Sequence, residues 1–244
     1  FDAISGRGEE FKSGGRVVKN VTGFDLAKLL SGSFGTLAIM VSITIKVLPI
    51  PEKTRTVLIF GLDDKLGIQA LSETLQRPFE VNAAAQLPTE IVKNSRVSLV
   101  NDRSMSVTAV RFQGPATSVM ARTEGVKNLW RSYGEVEELH SHNSATLWNE
   151  IGNVGSLLSN KTDQIWRISL PPSEGANFLV EIRTIIDCRA YFDWGGGLIW
   201  LAAEGNLTEV GSVIRSALMS IGGHATLMRG SADLRLMSDV FQPQ

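Results

Sequence analysis

The sequence predicts an α+β protein whose larger part is a duplicated ferredoxin-like domain. After Pro51, short apolar or β-branched runs alternate with longer amphipathic stretches in the order βαββαβ, and this order occurs twice. Before Pro51 the pattern differs: hairpin-like segments are followed by a short helix and one apolar run. Pro49 and Pro51 therefore predict a domain boundary.

The N-terminal part predicts a small β-rich unit. Three strands separated by glycine turns are predicted over 1–5, 9–12 and 16–19. A short helix is predicted over 25–30, with Leu26, Leu29 and Leu30 facing inward. The run 39–48 alternates between β-branched and polar residues and predicts a longer strand.

The remainder predicts two βαββαβ units that form an antiparallel sheet with helices on one face. Strands are predicted over 56–60, 80–86, 105–112, 134–139, 164–170, 189–193, 198–203 and 225–228. Helices are predicted over 63–76, 115–131, 173–184 and 207–221, the last one capped by Asn206 and Glu209. An additional helix is predicted between the units, within 142–158.

Composition excludes several classes of function. The net charge is −1, so no strongly basic surface favours nucleic acid. The one cysteine, Cys188, has no partner for an internal disulfide, which is typical of a reducing cytoplasm; we expect it to be a small buried apolar residue. The longest apolar stretch, 37–50, contains a serine, a threonine and a lysine and does not predict a membrane span.

Metal and nucleophile motifs are weak. His140 and His142, beside Glu137 and Glu138, predict either a weak surface metal site or solvated loop histidines, and the second is favoured. There is no GxSxG elbow and no GxxxxGK[ST] phosphate loop.

A glycine-rich loop joins the predicted helix 25–30 to the strand 39–48. Gly32 and Gly35 permit a positive φ and a close approach of a flat ligand, and Ser33 and Thr36 add hydroxyl groups. The alternative is that the loop serves only as a helix C-cap and turn.

Four separated blocks carry a family resemblance. They are VKNVTGFDLAKLLSGSFGTLAIMVSITIKVLP (18–49), IWRISLPP (165–172), DWGGGLIWL (193–201) and GGHATLMRG (222–230). In this order they resemble the vanillyl-alcohol-oxidase-type (PCMH-type) FAD-linked oxidases, and among these the FAD-binding subunits of bacterial glycolate oxidases.

The resemblance implies three parts of the chain. Residues 1–52 would be the C-terminal part of the PCMH-type FAD-binding domain, 53–235 the substrate (cap) domain, and 236–244 the start of a segment that returns to the flavin. The half of the cofactor domain that cradles the FAD pyrophosphate would precede Phe1, so a fragment is expected.

The resemblance also implies a function. It implies an FAD-dependent oxidoreductase subunit that oxidises a small 2-hydroxy acid, glycolate to glyoxylate, together with a paralogous FAD subunit and an iron–sulfur subunit. The expected location is cytoplasmic, or peripheral at the inner face of the membrane through those partners. The alternatives are a non-catalytic structural or interaction subunit of that complex and a related FAD-linked oxidase acting on D-lactate or another hydroxy acid.

Site residues follow from the same resemblance. The residues implied at the flavin are Lys19, Asn20, Gly23, Asp25, Gly32, Ser33, Gly35, Thr36 and Ile39. Asp25 is equally explained as a helix N-cap. His224 is expected as the base and Arg229 as the carboxylate-binding cation, and the alternative is that both merely flank a strand. Trp194 and Trp200 around the glycines 195–197 either wall a pocket or, as favoured here, pack a hairpin.

Overall fold

The computed structural model describes residues 1–17, 23–205 and 207–243. The chain divides into two compact units, Phe1–Ile50 and Pro51–Gln244, and each is described by itself.

The first unit is a small antiparallel sheet with one short helix. Its elements are β1 (Asp2–Ser5), β2 (Glu10–Lys12), α1 (Leu26–Leu30) and β3 (Ala38–Ser42). The strand order is β2-β1-β3, and the small core contains Ala3, Leu30 and Ala38. The expected hairpin β1–β2 is present, whereas Arg16 and Val17 form a bend instead of the predicted third strand, the rest of which lies outside the described residues.

Two expectations for the first unit were wrong. Leu29 is 61% exposed, because a helix of five residues presents only Leu30 fully to so small a core. The strand predicted over 39–48 ends at Ser42, and 43–50 has no regular structure. The reason is that β3 pairs with β1, which is four residues long, so the pairing stops at Asp2 opposite Ser42.

The second unit contains the two predicted repeats. The first repeat consists of β4 (Lys53–Phe60), α2 (Asp64–Leu75), β5 (Ala83–Leu87), β6 (Val107–Gly114), α5 (Ala116–Trp130) and β7 (Val136–His140), with the short helices α3 (Thr89–Val92) and α4 (Ser98–Asn101) between β5 and β6. Helix α6 (Ser141–Gly152) leads to the second repeat. That repeat consists of β8 (Gln164–Ser169), α7 (Gly175–Ile185), β9 (Cys188–Asp193), β10 (Leu198–Ala203), α8 (Glu209–Met219) and β11 (His224–Arg229), followed by α9 (Ala232–Met237).

Among the described residues of this unit, eight strands form one antiparallel sheet in the order β11-β8-β10-β9-β5-β6-β4-β7. Within each repeat the first strand lies between the third and the fourth, as in a ferredoxin-like domain. The repeats meet through their second strands, where Gln86 on β5 is opposite Phe192 on β9. The predicted fold class is confirmed.

Helices cover this sheet on both faces, not on one as expected. Alternate residues of β4 show the division: Val57 and Ile59 pack in the core beneath α2 and α5, whereas Leu58 packs with α3, α4 and α6. Helices α7 and α8 pack on the same face as α2 and α5. Burial on both faces explains the nearly continuous apolar strands.

Candidate functional site

The glycine loop of the first unit is both a turn and an open surface. Ser33 N–H donates to the Leu30 carbonyl (3.1 Å), and Thr36 N–H donates to the Ser33 carbonyl (3.0 Å), so the loop closes on its own hydrogen bonds. Gly32 and Gly35 have φ of +81° and +78°, which glycine adopts without strain. A Cβ at either position would meet nothing within 4 Å, so the backbone is accessible to a ligand.

The groups offered by this loop fit the edge of a flavin ring. The Ser33 hydroxyl and the Thr36 hydroxyl are neutral, and the Thr36 proton is directed to the Ser33 carbonyl (2.7 Å), which leaves its lone pairs free. Ile39 is 64% exposed, while its neighbour Ala38 faces the core of the unit. Neutral hydrogen-bonding groups beside an exposed apolar side chain suit an uncharged heterocycle better than a phosphate.

The remaining residues implied at the flavin are less informative. Asp25 is the N-cap of α1: its Oδ1 accepts a hydrogen bond from Lys28 N–H (3.3 Å), and its carboxylate pairs with Lys28 Nζ (3.1 Å). Hydrogen bonding to Lys28 lowers the pKa of this exposed carboxyl group. Gly23 has a φ of +78° and open space around it. Lys19 and Asn20 lie outside the described residues.

The structure does not bring His224 and Arg229 together. His224 is exposed at the start of β11, and Arg229 ends the same strand, about 16 Å away at the rise of a strand. The Arg229 guanidinium donates to the carbonyls of Asn160 (2.6 Å) and Asp163 (3.1 Å). Arg229 therefore holds the loop before β8, while His224 has its imidazole in solvent.

A cavity that the sequence analysis missed lies where the start of β5 and the end of β9 meet helix α6, with Leu75 at the end of α2 also in its lining. Its volume is about 440 Å³, and its lining includes Arg111, Asp193, Trp148, Trp194 and Ala83. Arg111 on β6 is opposite Ala83 on β5, whose small side chain leaves space above the sheet. The guanidinium of Arg111 lies over the Trp148 ring at 5.2 Å, an aromatic–cation contact.

Asp193 and Trp194 close the other side of this cavity. The Asp193 Oδ1 atom accepts a hydrogen bond from Trp194 N–H (2.8 Å). Trp194 has a φ of +53°, a strained value for a bulky residue, and is 60% exposed, so it does not pack the hairpin as expected. Arg167 lies over its ring at 5.1 Å. Trp200, in contrast, is half-buried and packs against the core.

Two signals in the sequence mark this cavity. Arg111 is the charged residue in the strand VTAVRFQG, and a run of three alanines, 83–85, forms the strand beside it. Bringing residues 83, 111, 148 and 193 together required the strand order, which local patterns do not specify.

Burial raises the pKa of the Asp193 carboxyl group, while the Trp194 N–H and Arg111 act in the opposite direction. A raised pKa in the folded state means that the contribution of Asp193 to stability is present below pH about 3.9 and is lost as the pH rises through the raised value. We therefore expect Asp193→Asn to stabilise the protein increasingly from pH 4 towards pH 7, measured by urea unfolding at each pH. If Asp193→Asn shifted the urea midpoint, relative to the wild type, by the same amount at pH 4 and at pH 7, the expectation would be wrong.

Other titratable groups offer no second site. Glu138 lies 3.6 Å from His140, but within 1–17, 23–205 and 207–243 no three His, Cys, Asp or Glu residues are grouped to hold a metal ion. Cys188 is half-buried, and desolvation raises its pKa to about 11, which disfavours the reactive thiolate. No helix in the described part of the chain is long and apolar enough to span a membrane.

No family model matches the chain. Over 227 residues, 91% of the chain, it is 26% identical to glycolate oxidase subunit GlcE of Escherichia coli. The chain is a homologue of the glycolate oxidase subunits. The chain is also 31% identical over 75 residues to glycolate oxidase subunit GlcD of Bacillus subtilis, a match that covers 31% of the chain and 16% of GlcD.

Solved structures support the fold of the chain. An alkyldihydroxyacetonephosphate synthase matches 91% of the chain with a TM-score of 0.53, and the 4-ethylphenol oxidase from Gulosibacter chungangensis matches 90% with a TM-score of 0.51. Both are 12% identical in sequence, so the likeness concerns the fold alone; the matches cover 48% and 55% of those chains.

FAD is the cofactor expected from the sequence. The homologues of this chain are FAD-binding proteins, which confirms the expectation. The chain spans about half the length of GlcE, 52%.

Proposed function

We propose that this chain is part of an FAD-dependent oxidoreductase subunit that oxidises a small 2-hydroxy acid, glycolate to glyoxylate, within a multi-subunit glycolate oxidase. The observation that carries the proposal is the alignment with GlcE, which covers 91% of the chain. The two-unit organisation and the open glycine loop support it.

In this proposal 1–52 belongs to the cofactor domain, 53–235 is the substrate domain and 236–244 begins the segment that returns to the flavin. When bound, FAD accepts a hydride from the substrate carbon. Gly32, Ser33, Gly35 and Thr36 contact the ring edge through backbone and hydroxyl groups, and Ile39 packs against it, with Gly23 and Asp25 shaping the preceding turn. Lys19 and Asn20 remain predictions from the resemblance.

The proposed partners are a paralogous FAD subunit and an iron–sulfur subunit that receives the electrons. The sequence contains one cysteine, whereas iron–sulfur clusters of the common types are held by several cysteine thiolates. The cluster is therefore assigned to a partner, and the complex is placed in the cytoplasm or at the inner face of the membrane.

The test is anaerobic reduction of the purified native complex. Adding glycolate is expected to bleach the visible absorbance of the oxidised flavin and to release one glyoxylate for every two electrons taken up by the flavins and the iron–sulfur centres together. A panel with D-lactate and longer 2-hydroxy acids identifies the preferred acid. A complex whose flavin stays oxidised with every 2-hydroxy acid refutes the proposed function.

The role of His224 as the base that accepts the hydroxyl proton remains a prediction. If it is correct, His224→Gln in the native complex lowers kcat by about 10²–10⁴-fold, the range for a general base. His142→Gln, which changes another exposed histidine, is the matched control and leaves kcat unchanged.

Unchanged turnover in the His224 variant would instead favour the second candidate function, in which this subunit is a non-catalytic partner of a catalytic paralogue. The observation in favour of that alternative is the separation of His224 from Arg229, whose guanidinium is already bound to loop carbonyls.

A further inference from the structure

Arg111 is a cation without an anion. Among the described residues its guanidinium has no hydrogen-bond or ion-pair partner, and its Nε is fully buried. Desolvation lowers its pKa, and the charge of Asp193 offsets this only in part. The half-buried Arg55 of the same unit shows the usual arrangement, because its guanidinium forms an ion pair with Glu138 (2.8 Å).

The geometry of Arg111 suits a planar anion. A guanidinium presents its N–H groups in a rigid fork that matches the two oxygens of a carboxylate. The guanidinium lies over the Trp148 ring, and Arg111 lines the cavity. A carboxylate in the cavity would accept hydrogen bonds from the terminal guanidinium nitrogens, which unlike Nε are not fully buried, and would neutralise the charge.

Asp193 supplies the second recognition element. It lies across β5 from Arg111, close enough for electrostatic interaction but beyond ion-pair distance. The Asp193 Oδ1 atom accepts a hydrogen bond from Trp194 N–H, and Oδ2 is available to accept another. A ligand that joins the two residues therefore carries an anionic end and a donor end.

We infer that this cavity is a binding site for a small 2-hydroxy carboxylic acid, with the carboxylate held by Arg111 and the hydroxyl group donating to Asp193. The inference rests on the proposed function for the substrate class and extends it by assigning the residues. Trp148 and Trp194 form the walls, and Ala83 leaves the space between them.

This assignment separates the acid from His224. Across the sheet, His224 is opposite Ser169, Ser169 opposite Leu198, and Leu198 opposite Asp193. Three strand spacings place His224 about 14 Å from Asp193, farther than a two- or three-carbon acid extends. His224 is therefore not the base for an acid bound in this cavity, and a loss of kcat of about 10²–10⁴-fold in His224→Gln would count against this site. Arg111 thus takes the carboxylate-binding role that the sequence analysis gave to Arg229.

The experiment measures binding apart from turnover. The native complex is reduced with dithionite under anaerobic conditions, so that glycolate is not oxidised, and the binding of glycolate and of acetate is measured by calorimetry. Arg111→Gln is expected to weaken both ligands about 10- to 100-fold, the cost of losing charge-assisted hydrogen bonds. Asp193→Asn is expected to weaken glycolate and not acetate, because acetate has no hydroxyl group.

Two further variants guard against misfolding and nonspecific charge effects. Arg111→Lys keeps the charge without the fork and is expected to give an intermediate loss. Arg131→Gln removes an exposed arginine that pairs with Glu124 on α5, and binding is expected to stay at the wild-type value.

The outcomes distinguish this inference from the proposed function. Wild-type affinity for both acids in a folded Arg111→Lys or Arg111→Gln variant overturns the site, even if the complex oxidises glycolate. Loss of binding in Arg111→Gln, with the hydroxyl-specific loss in Asp193→Asn, supports the site even if no flavin reduction by glycolate is observed.

Discussion

Replacing Trp148 by alanine is expected to lower the free energy of unfolding by about 3–5 kcal/mol, the usual cost of removing a buried tryptophan. Trp148 is 7% exposed and packs in the core between α6 and the sheet. Its Nε1–H donates to Thr56 Oγ1 (2.8 Å), which is also 2.6 Å from Ser144 Oγ. Urea unfolding of the full-length subunit, followed by far-ultraviolet circular dichroism, measures the change.

Trp194→Ala is the matched control, because it removes the same side chain from an exposed position. A change within about 1 kcal/mol is expected for it, in line with surface substitutions. Similar losses for the two variants would show that Trp148 is not part of the core. Trp148→Phe keeps most of the packing and is expected to lose about 1 kcal/mol with the hydrogen bond.

Gly223→Ala is expected to destabilise the protein by about 2–5 kcal/mol, the sum of backbone strain and overpacking. Gly223 has a φ of +156°, and a Cβ there would lie 2.6 Å from the Ser169 carbonyl oxygen and 3.1 Å from Leu218 Cδ2. The carbonyl belongs to the backbone of β8 and cannot rotate away. The strain is relieved by separating the start of β11, and His224 with it, from β8.

Gly222→Ala supplies a control at the adjacent residue. Gly222 has a φ of +74°, but a Cβ there would meet nothing within 4 Å, so only the conformational cost of about 1 kcal/mol applies. Urea unfolding of both variants gives the difference. Equal destabilisation would mean that the contact with β8 is not rigid.

Local patterns predicted the repeats well, because apolar residues recur with one spacing in a helix and with another in a strand. The strand 198–203 has the predicted bounds, and α2 begins at Asp64, one residue after the predicted start. Helices α3, α4 and α9 were missed because four to six residues are too few to show a helical period. The strand beyond Ser42 was overestimated because apolar alternation does not reveal where a pairing partner ends.

The prediction that the glycine loop contacts the flavin also came from local information. Its residues, 32–36, are contiguous, and backbone hydrogen bonds within the turn hold them in place. His224 and Arg229 do not form a cluster, although they are close in sequence. Both lie on one strand, and successive residues of a strand are more than 3 Å apart.

By itself, the sequence determined the order and type of the elements, the duplicated α+β fold and the resemblance to FAD-linked oxidases, because these depend on periodicity and contiguous motifs. Only the tertiary structure decided that Arg111 and Asp193 face one cavity and that Arg229 is bound to a loop. The physical reason is that strand order and register, set by packing of both faces of the sheet, bring together residues more than eighty positions apart.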